Sequence, residues 1–325
     1  MIHSERATDF IKMIFIVLFF FIPTSFSTGE QFPKTKLWGY VFHLSDLPEN
    51  YLEETLPVFS AVSLTGYSIS ASGKIICSEN RIMKNTIRAA KKNRIRLYPV
   101  LSFASVQAGH VILNSTEFRF RLADNIKNFI QKYRYNGIHL DFEYLPPDDA
   151  PQLATFLKEL KNALAGATIS LAIFPQLDFP HKWAGFHDLK KISPHIDEIV
   201  LMCYDLHRPD TSPGPVTDYS WAEKNITHAL KYLDSKKIWL GIPAYGYSWP
   251  SKGKASAVSA RQGKTLAKKF GETRHQSGNV LVLYQSGGIH YTVFFPDRKT
   301  MNDLAYLSEK YNLKGVAIWR LGMEE

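Results

Sequence analysis

The stretch most able to do chemistry is Asn136-Gly137-Ile138-His139-Leu140-Asp141-Phe142-Glu143-Tyr144. Read as a β-strand, it alternates, placing His139, Asp141 and Glu143 on one face and Ile138, Leu140 and Phe142 on the other. The apolar face belongs against packed helices, so the three ionisable groups point the opposite way, where burial is costly unless they are paired or used. Residues two apart on a strand are separated by about 6.5 Å, a gap that two carboxyl side chains can close. Neighbouring carboxylates resist double ionisation, so one keeps its proton into the neutral range and can serve as a general acid. Glu143 is the candidate proton donor and Asp141 its partner. His139 shares their face and is expected to hydrogen-bond Asp141 and help set its charge.

Such a strand needs a scaffold. Short runs rich in β-branched and aromatic residues alternate with amphipathic stretches along the chain, the pattern of parallel βαβ units. Eight strands are predicted, over 37–42, 61–66, 96–103, 137–144, 168–174, 198–204, 238–244 and 315–321. Helices are predicted over 116–133, opened by a Ser115 cap, over 151–164, opened by Asp149 and Pro151, and over 222–233. The fold class is therefore α/β, a (β/α)8 TIM barrel. Glu143 falls at the C-terminal end of its strand, where barrel active sites form, which argues against the paired carboxylates being mere interior braces.

The segment 249–299 is long for a connection and holds two strand-like runs, 280–284 and 290–295, joined by Ser286-Gly287-Gly288. It reads as a β-hairpin inserted between strand seven and the last helix, at the face of the barrel that carries the site. The sequence stops at Glu325 directly after the eighth strand, so the helix that would close the barrel is expected to be missing.

The N-terminus reads as a signal peptide over residues 1–27. Arg6 and Lys12 precede the apolar run Met13 to Ile22, which is short for a membrane span, and Ser25 and Ser27 suit a cut before Thr28. The expected mature chain is 28–325, secreted or held in the periplasm or cell envelope, with no stable membrane insertion after cleavage. Its net charge of +9 favours anionic polymers, yet no basic arm of the kind that grips nucleic acid is present. Cys77 and Cys203 are too few for a disulfide framework, and Cys203 falls in a predicted buried strand as a small hydrophobe. The 11 His residues show no metal-ligand spacing, and there is no Gly-rich phosphate loop or nucleophile elbow, so neither a metal nor a cofactor is expected. Aromatic residues make up 13% of the chain, a supply suited to stacking on sugar rings as well as to packing.

Four motifs in order resemble glycoside hydrolase family 18, the chitinase-like barrels. Residues 136–143 resemble the strand-four pattern D-G-x-D-x-D-x-E, with Asn136 and His139 standing in for its first two acids. Met202-Cys203-Tyr204-Asp205 resembles the M-x-Y-D of strand six, and Gly241 to Trp249 resembles the strand-seven signature. Gly315 to Gly322 resembles the final strand with its sugar-stacking Trp, whereas Leu101-Ser102-Phe103-Ala104-Ser105 lacks the usual Gly pair of strand three.

The resemblance implies a glycosidase that cleaves β-1,4-linked N-acetylglucosamine polymers by substrate-assisted, retaining catalysis without a protein nucleophile. It implies Glu143 as acid and then base, Asp141 orienting the substrate's acetamide, and Tyr204 holding the acetamide oxygen. Trp319 would form the floor under the sugar, with Met202, Asp205, His139, Tyr40 and Tyr245 shaping the same binding pocket. The partner would be an N-acetylglucosamine-containing oligo- or polysaccharide, namely chitin, chito-oligosaccharides or peptidoglycan, and the enzyme a monomer. The strand-two region 66–74 and Trp319-Arg320-Leu321-Gly322 look most like the bacterial cell-wall and spore-associated branch. The alternative is a carbohydrate-binding, lectin-like protein on the same barrel, which the presence of both Glu143 and Asp141 disfavours.

Overall fold

The computed structural model describes residues 35–48, 50–164 and 166–324; the expected signal peptide, 1–27, lies outside them. Eight parallel strands form the centre: β1 (Leu37–Val41), β2 (Ala61–Ile69), β3 (Arg96–Phe103), β4 (Gly137–Leu140), β5 (Thr168–Ile173), β6 (Glu198–Met202), β7 (Ile238–Pro243) and β8 (Gly315–Trp319). Each pairs with its chain neighbours, and β1 pairs with both β2 and β8, which closes the ring. All eight expected strands are present.

Their outward residues meet the helices. On the helix Thr116–Tyr133, Leu122, Ala123, Ile126 and Ile130 recur at spacings of one helical turn and are buried, and the Ser115 hydroxyl accepts from the Phe118 amide at 3.4 Å. The helix Ala150–Ala163 buries Leu153, Phe156, Leu157 and Leu160 in the same way. The third helix runs Tyr219–Ala229, three residues earlier than expected, because Asp218 caps it by accepting from the Trp221 amide at 2.8 Å.

Inward residues fill the barrel with aromatic rings. Trp38 lies 5.0 Å from Tyr98 and 5.2 Å from Trp239, and all three are fully buried. Below them, Glu198 at the start of β6 accepts from the Trp239 indole at 2.6 Å and pairs with Arg96 at 3.3 Å and with Lys314. A buried carboxylate with three donors is compensated, and the lower end of the barrel is sealed. Cys203 is likewise interior, and both cysteines are free thiols. Among the described residues, no helix is long and apolar enough to cross a membrane.

Two features differ from expectation. The ladder of β4 ends at Leu140, not Tyr144, and that of β6 at Met202, not Tyr204. Beyond these points each chain leaves the ladder and soon reaches a left-handed residue, Tyr144 at φ 63° and Asp205 at φ 61°. Between β7 and β8 the chain builds more than a hairpin. The expected pair, Val280–Ser286 and Ile289–Phe295 turning at Gly287 and Gly288, belongs to a five-stranded antiparallel sheet with Tyr245–Pro250, Ser256–Ser259 and Thr273–Arg274, backed by the helix Ala260–Phe270. Tyr245–Pro250 follows β7 after one residue, so in sequence it reads as that strand's tail.

No helix follows β8 among the described residues. Instead Leu321 donates its amide to the Tyr40 carbonyl at 2.9 Å, and the Glu324 carboxylate accepts from the Gly322 amide at 2.7 Å and from the hydroxyl of Tyr51, on the short helix Tyr51–Thr55. The N-terminal part of the barrel therefore covers that flank.

β4 approaches β5 so closely at its first residue that a Cβ on Gly137 would run into the Thr168 carbonyl oxygen. Gly137→Ala is expected to destabilise the protein by about 1–3 kcal/mol, the usual cost of overpacking, read as a lower urea midpoint; an unchanged midpoint would show that the two strands can part without cost.

Candidate active site

The C-terminal ends of the strands open into a cleft. Asp141 and Glu143 reach it from the extension of β4, Met202, Tyr204 and Asp205 from that of β6, Tyr40 from β1, Tyr245 from just past β7 and Trp319 from β8. Eight of the nine sequence-derived candidates thus share one cavity. The Asp141 amide still donates to Leu101 of β3 at 2.9 Å, so the acid is carried upward by a backbone that remains tied to the ring. Tyr40 meets Trp319 edge-on at 5.2 Å, and Trp319 is half-buried beside the two carboxyl groups. Among the described residues the hydroxyl of Tyr204 makes no hydrogen bond, which leaves it available to a ligand.

His139 is the exception. It does not line the cleft, and it is not bonded to Asp141 as expected. Its Nε2 meets the Tyr40 hydroxyl at 2.7 Å and its Nδ1 the Ser170 hydroxyl at 3.0 Å, with no exposure at all. Strand parity gives the face but not the height. Ser170 of β5 is in direct register with His139, whereas Asp141 lies one inward position further along, just past the end of the β4 ladder. The imidazole therefore braces Tyr40 from beneath. Asn136, the other departure from the acid pattern, accepts the Leu97 amide at 2.9 Å and ties β4 to β3.

A model of the glycosyl hydrolases family 18 matches residues 75–324 of this chain. The chain belongs to this family. It is a glycoside hydrolase, as the company it keeps bears out. It is 26% identical over 293 residues to the uncharacterized glycosylase YvbX of Bacillus subtilis, covering 85% of this chain and 84% of that protein. It is 28% identical over 240 residues to the cortical fragment-lytic enzyme of Bacillus subtilis, covering 67% of this chain and 54% of that one. The crystal structure of a chitinase from Chromobacterium violaceum superposes with a TM-score of 0.82 at 25% identity, covering 90% of this chain and 95% of the chitinase.

In this family 18 barrel, electrostatics separate the three carboxyl groups. Glu143 is pushed well above the usual range, first by burial and then by the fields of Asp141 and Asp205. Asp141 is pushed up to about 6 by burial. Asp205 is raised by burial but held back by hydrogen bonds from the hydroxyls of Tyr245, at 2.5 Å, and Tyr247, at 2.8 Å. A protonated Glu143 beside an ionising Asp141 is the arrangement a general acid needs at neutral pH. Tyr40, Tyr204 and Tyr245 are all raised by burial first, so each stays a hydroxyl donor.

Sequence reasoning did not find His187. Its Nδ1 accepts from the Phe174 amide at 3.1 Å, so its Nε2 carries the proton and donates to the Phe142 carbonyl at 2.9 Å. It thereby holds the residue between Asp141 and Glu143. Nor did it find the wall formed by Tyr144, Phe174, Phe179 and Trp183, with Trp183 edge-on to Tyr144 at 5.4 Å. The loop carrying that wall is clamped by Asn225, whose side-chain oxygen accepts from the amides of Gln176 at 2.7 Å and Leu177 at 2.8 Å. The wall rings Phe174, Phe179 and Trp183 touch one another at separations of four and five residues, but the groups that hold them, Tyr144 and Asn225, are distant in sequence, so spacing alone does not mark the site.

Two outcomes follow from the electrostatics. Because the Asp141 charge helps raise Glu143, Asp141→Asn is expected to move the alkaline limb of the kcat/KM profile to lower pH, besides lowering its height; a limb that stays in place or moves upward would dissociate that limb from Glu143. Burial also holds His187 down at about 4. Between that value and the ordinary 6.5 the unfolded chain binds a proton that the folded chain refuses, so this contribution to stability is whole above that window and is lost as pH falls through it. In His187→Gln the slope of stability against pH should flatten by up to about 1.4 kcal/mol per pH unit relative to wild type. Asp141 and Glu143 titrate with the opposite sign in both proteins, so the difference isolates the imidazole; urea melts at several pH values with identical slopes would exclude it.

Proposed function

We propose that the protein hydrolyses β-1,4-linked glycans containing N-acetylglucosamine, such as chito-oligosaccharides or peptidoglycan strands, with retention and with the substrate's own acetamide as nucleophile. The observation that carries this reading is the pairing of a proton-holding Glu143 with Asp141 in a cleft where the Tyr204 hydroxyl has no partner among the described residues. Glu143 gives its proton to the glycosidic oxygen as that C–O bond breaks, and the leaving sugar departs as an alcohol. The acetamide oxygen closes on the anomeric carbon to form a cyclic oxazolinium, whose positive charge faces Asp141 and whose orientation Tyr204 maintains. Glu143, now a carboxylate, takes a proton from water as that water opens the ring, which restores both the enzyme and the original configuration.

The names of the relatives support the choice of polymer, since one is a chitinase and another a cortical fragment-lytic enzyme. The basic charge of +9 suits an anionic wall polymer. The test is incubation of the protein with chito-oligosaccharides and with purified peptidoglycan, with products read by mass spectrometry beside Glu143→Gln. Fragments carrying an N-acetylglucosamine reducing end are expected, with the rate in the variant reduced by at least about 100-fold. No product from either polymer would refute the reading, and an undiminished rate in the variant would refute the choice of acid.

A further inference from the structure

We propose that Arg208 recognises a carboxylate carried by the glycan near the scissile linkage, so that the cleft selects acidic amino-sugar strands over neutral ones. The proposal rests on the glycosidase reading above and names its substrate class.

Among the described residues Arg208 is the one cation lining a cleft that holds three carboxyl groups. Its loop follows the Asp205 turn and is fastened at several points. The Leu206 amide donates to Val216 at 3.1 Å and the His207 amide to Pro215 at 3.2 Å, while the Arg208 amide donates to the Thr211 hydroxyl at 3.0 Å. The guanidinium is stacked 4.2 Å over the Trp183 ring, and its side chain is only 17% exposed. Stacking fixes the plane of the group and leaves its edges for hydrogen bonding.

One edge is taken. Nε faces an Asp210 carboxylate oxygen at 2.7 Å, although without the alignment of a hydrogen bond, and Asp210 is 64% exposed. A screened surface partner of that kind contributes little. The two terminal nitrogens have no acceptor among the described residues. A nearly buried fork with four free N–H groups is the geometry that binds a planar carboxylate through two parallel bonds.

The simpler role for Arg208 is to neutralise Asp205. The field of Arg208 does help hold Asp205 down, but Asp205 takes its hydrogen bonds from the hydroxyls of Tyr245 and Tyr247 and forms no ion pair with Arg208, so that role leaves the edges of the guanidinium unused. A neutral chitin-like chain would leave the fork unanswered, whereas a strand with a carboxylate on alternate sugars would meet it.

The test uses peptide-free glycan strands in which N-acetylglucosamine alternates with N-acetylmuramic acid, and the same strands after reduction of the carboxyl to an alcohol. Wild type should show a kcat/KM at least about tenfold higher on the carboxylate form, equivalent to about 1.4 kcal/mol. In Arg208→Gln the ratio between the two substrates should collapse toward one, and Arg208→Lys should restore part of it as a point charge. A wild-type ratio of one, which needs no variant to fold, overturns the proposal. So does a ratio unchanged in Arg208→Gln even if both rates fall, since that is the behaviour of a charge-balancing group. A preference seen only on strands that still carry stem peptides would assign the recognised acid to the peptide and reject the sugar carboxylate. Cleavage of neither strand nor of chito-oligosaccharide by wild type removes the glycosidase reading itself, an outcome distinct from all of these.

Discussion

A half-buried carboxyl group at the floor of a cleft, with two others beside it, cannot give up its proton at ordinary cost, and the rest of the structure serves to keep Glu143 in that position. The closed ring supplies the low-dielectric surroundings, and β4 lifts the acid to its rim. Phe142 anchors the same segment from the opposite face, fully buried and stacked 4.0 Å from Phe103, so the parity that exposes Asp141 and Glu143 to the cleft is enforced by a ring that has nowhere else to go. His187 then fixes the carbonyl between the two acids from the side of β5. Ladder, packing and hydrogen bond thus act on two consecutive residues, Asp141 and Phe142, directly before the acid.

The barrel and the acid pair were legible in the sequence because both depend on local periodicity. Alternation over Ile138 to Glu143 gave the face of each side chain, and the eight apolar runs with their intervening helical stretches gave the ring. What could not be read was height and partnership. His139 has the parity of the acids but sits one layer lower, where its register neighbour Ser170 and the incoming Tyr40 take both ring nitrogens. His187 and Asn225 hold carbonyls and amides 45 to 49 residues away, and the Arg208 guanidinium stacks on Trp183 from another loop; such contacts leave no period behind. The inserted sheet was underestimated for a related reason. Tyr245, Tyr247 and Trp249 alternate as any strand would, and nothing in that alternation tells which sheet they join.

The insertion has consequences inside the cleft. Its first strand delivers both phenols that hold Asp205, so the charge on an acid of the barrel depends on a sheet outside it. Asp205 in turn adopts a left-handed backbone, a conformation that is uncommon without glycine and that persists when the surroundings determine it. Barrel and insertion are therefore one site, although they are two sheets.

The Asn225 clamp bears on how the protein can be produced. Asn225-Ile226-Thr227 is a sequon for N-linked glycosylation, yet the amide that would carry the sugar is buried and donates to the Leu177 and Trp221 carbonyls at 3.1 and 3.0 Å. In a eukaryotic secretory host, which modifies such sites as the nascent chain is translocated, an added oligosaccharide would occupy the nitrogen that fastens the aromatic wall. A host without that machinery leaves it free to fold inward.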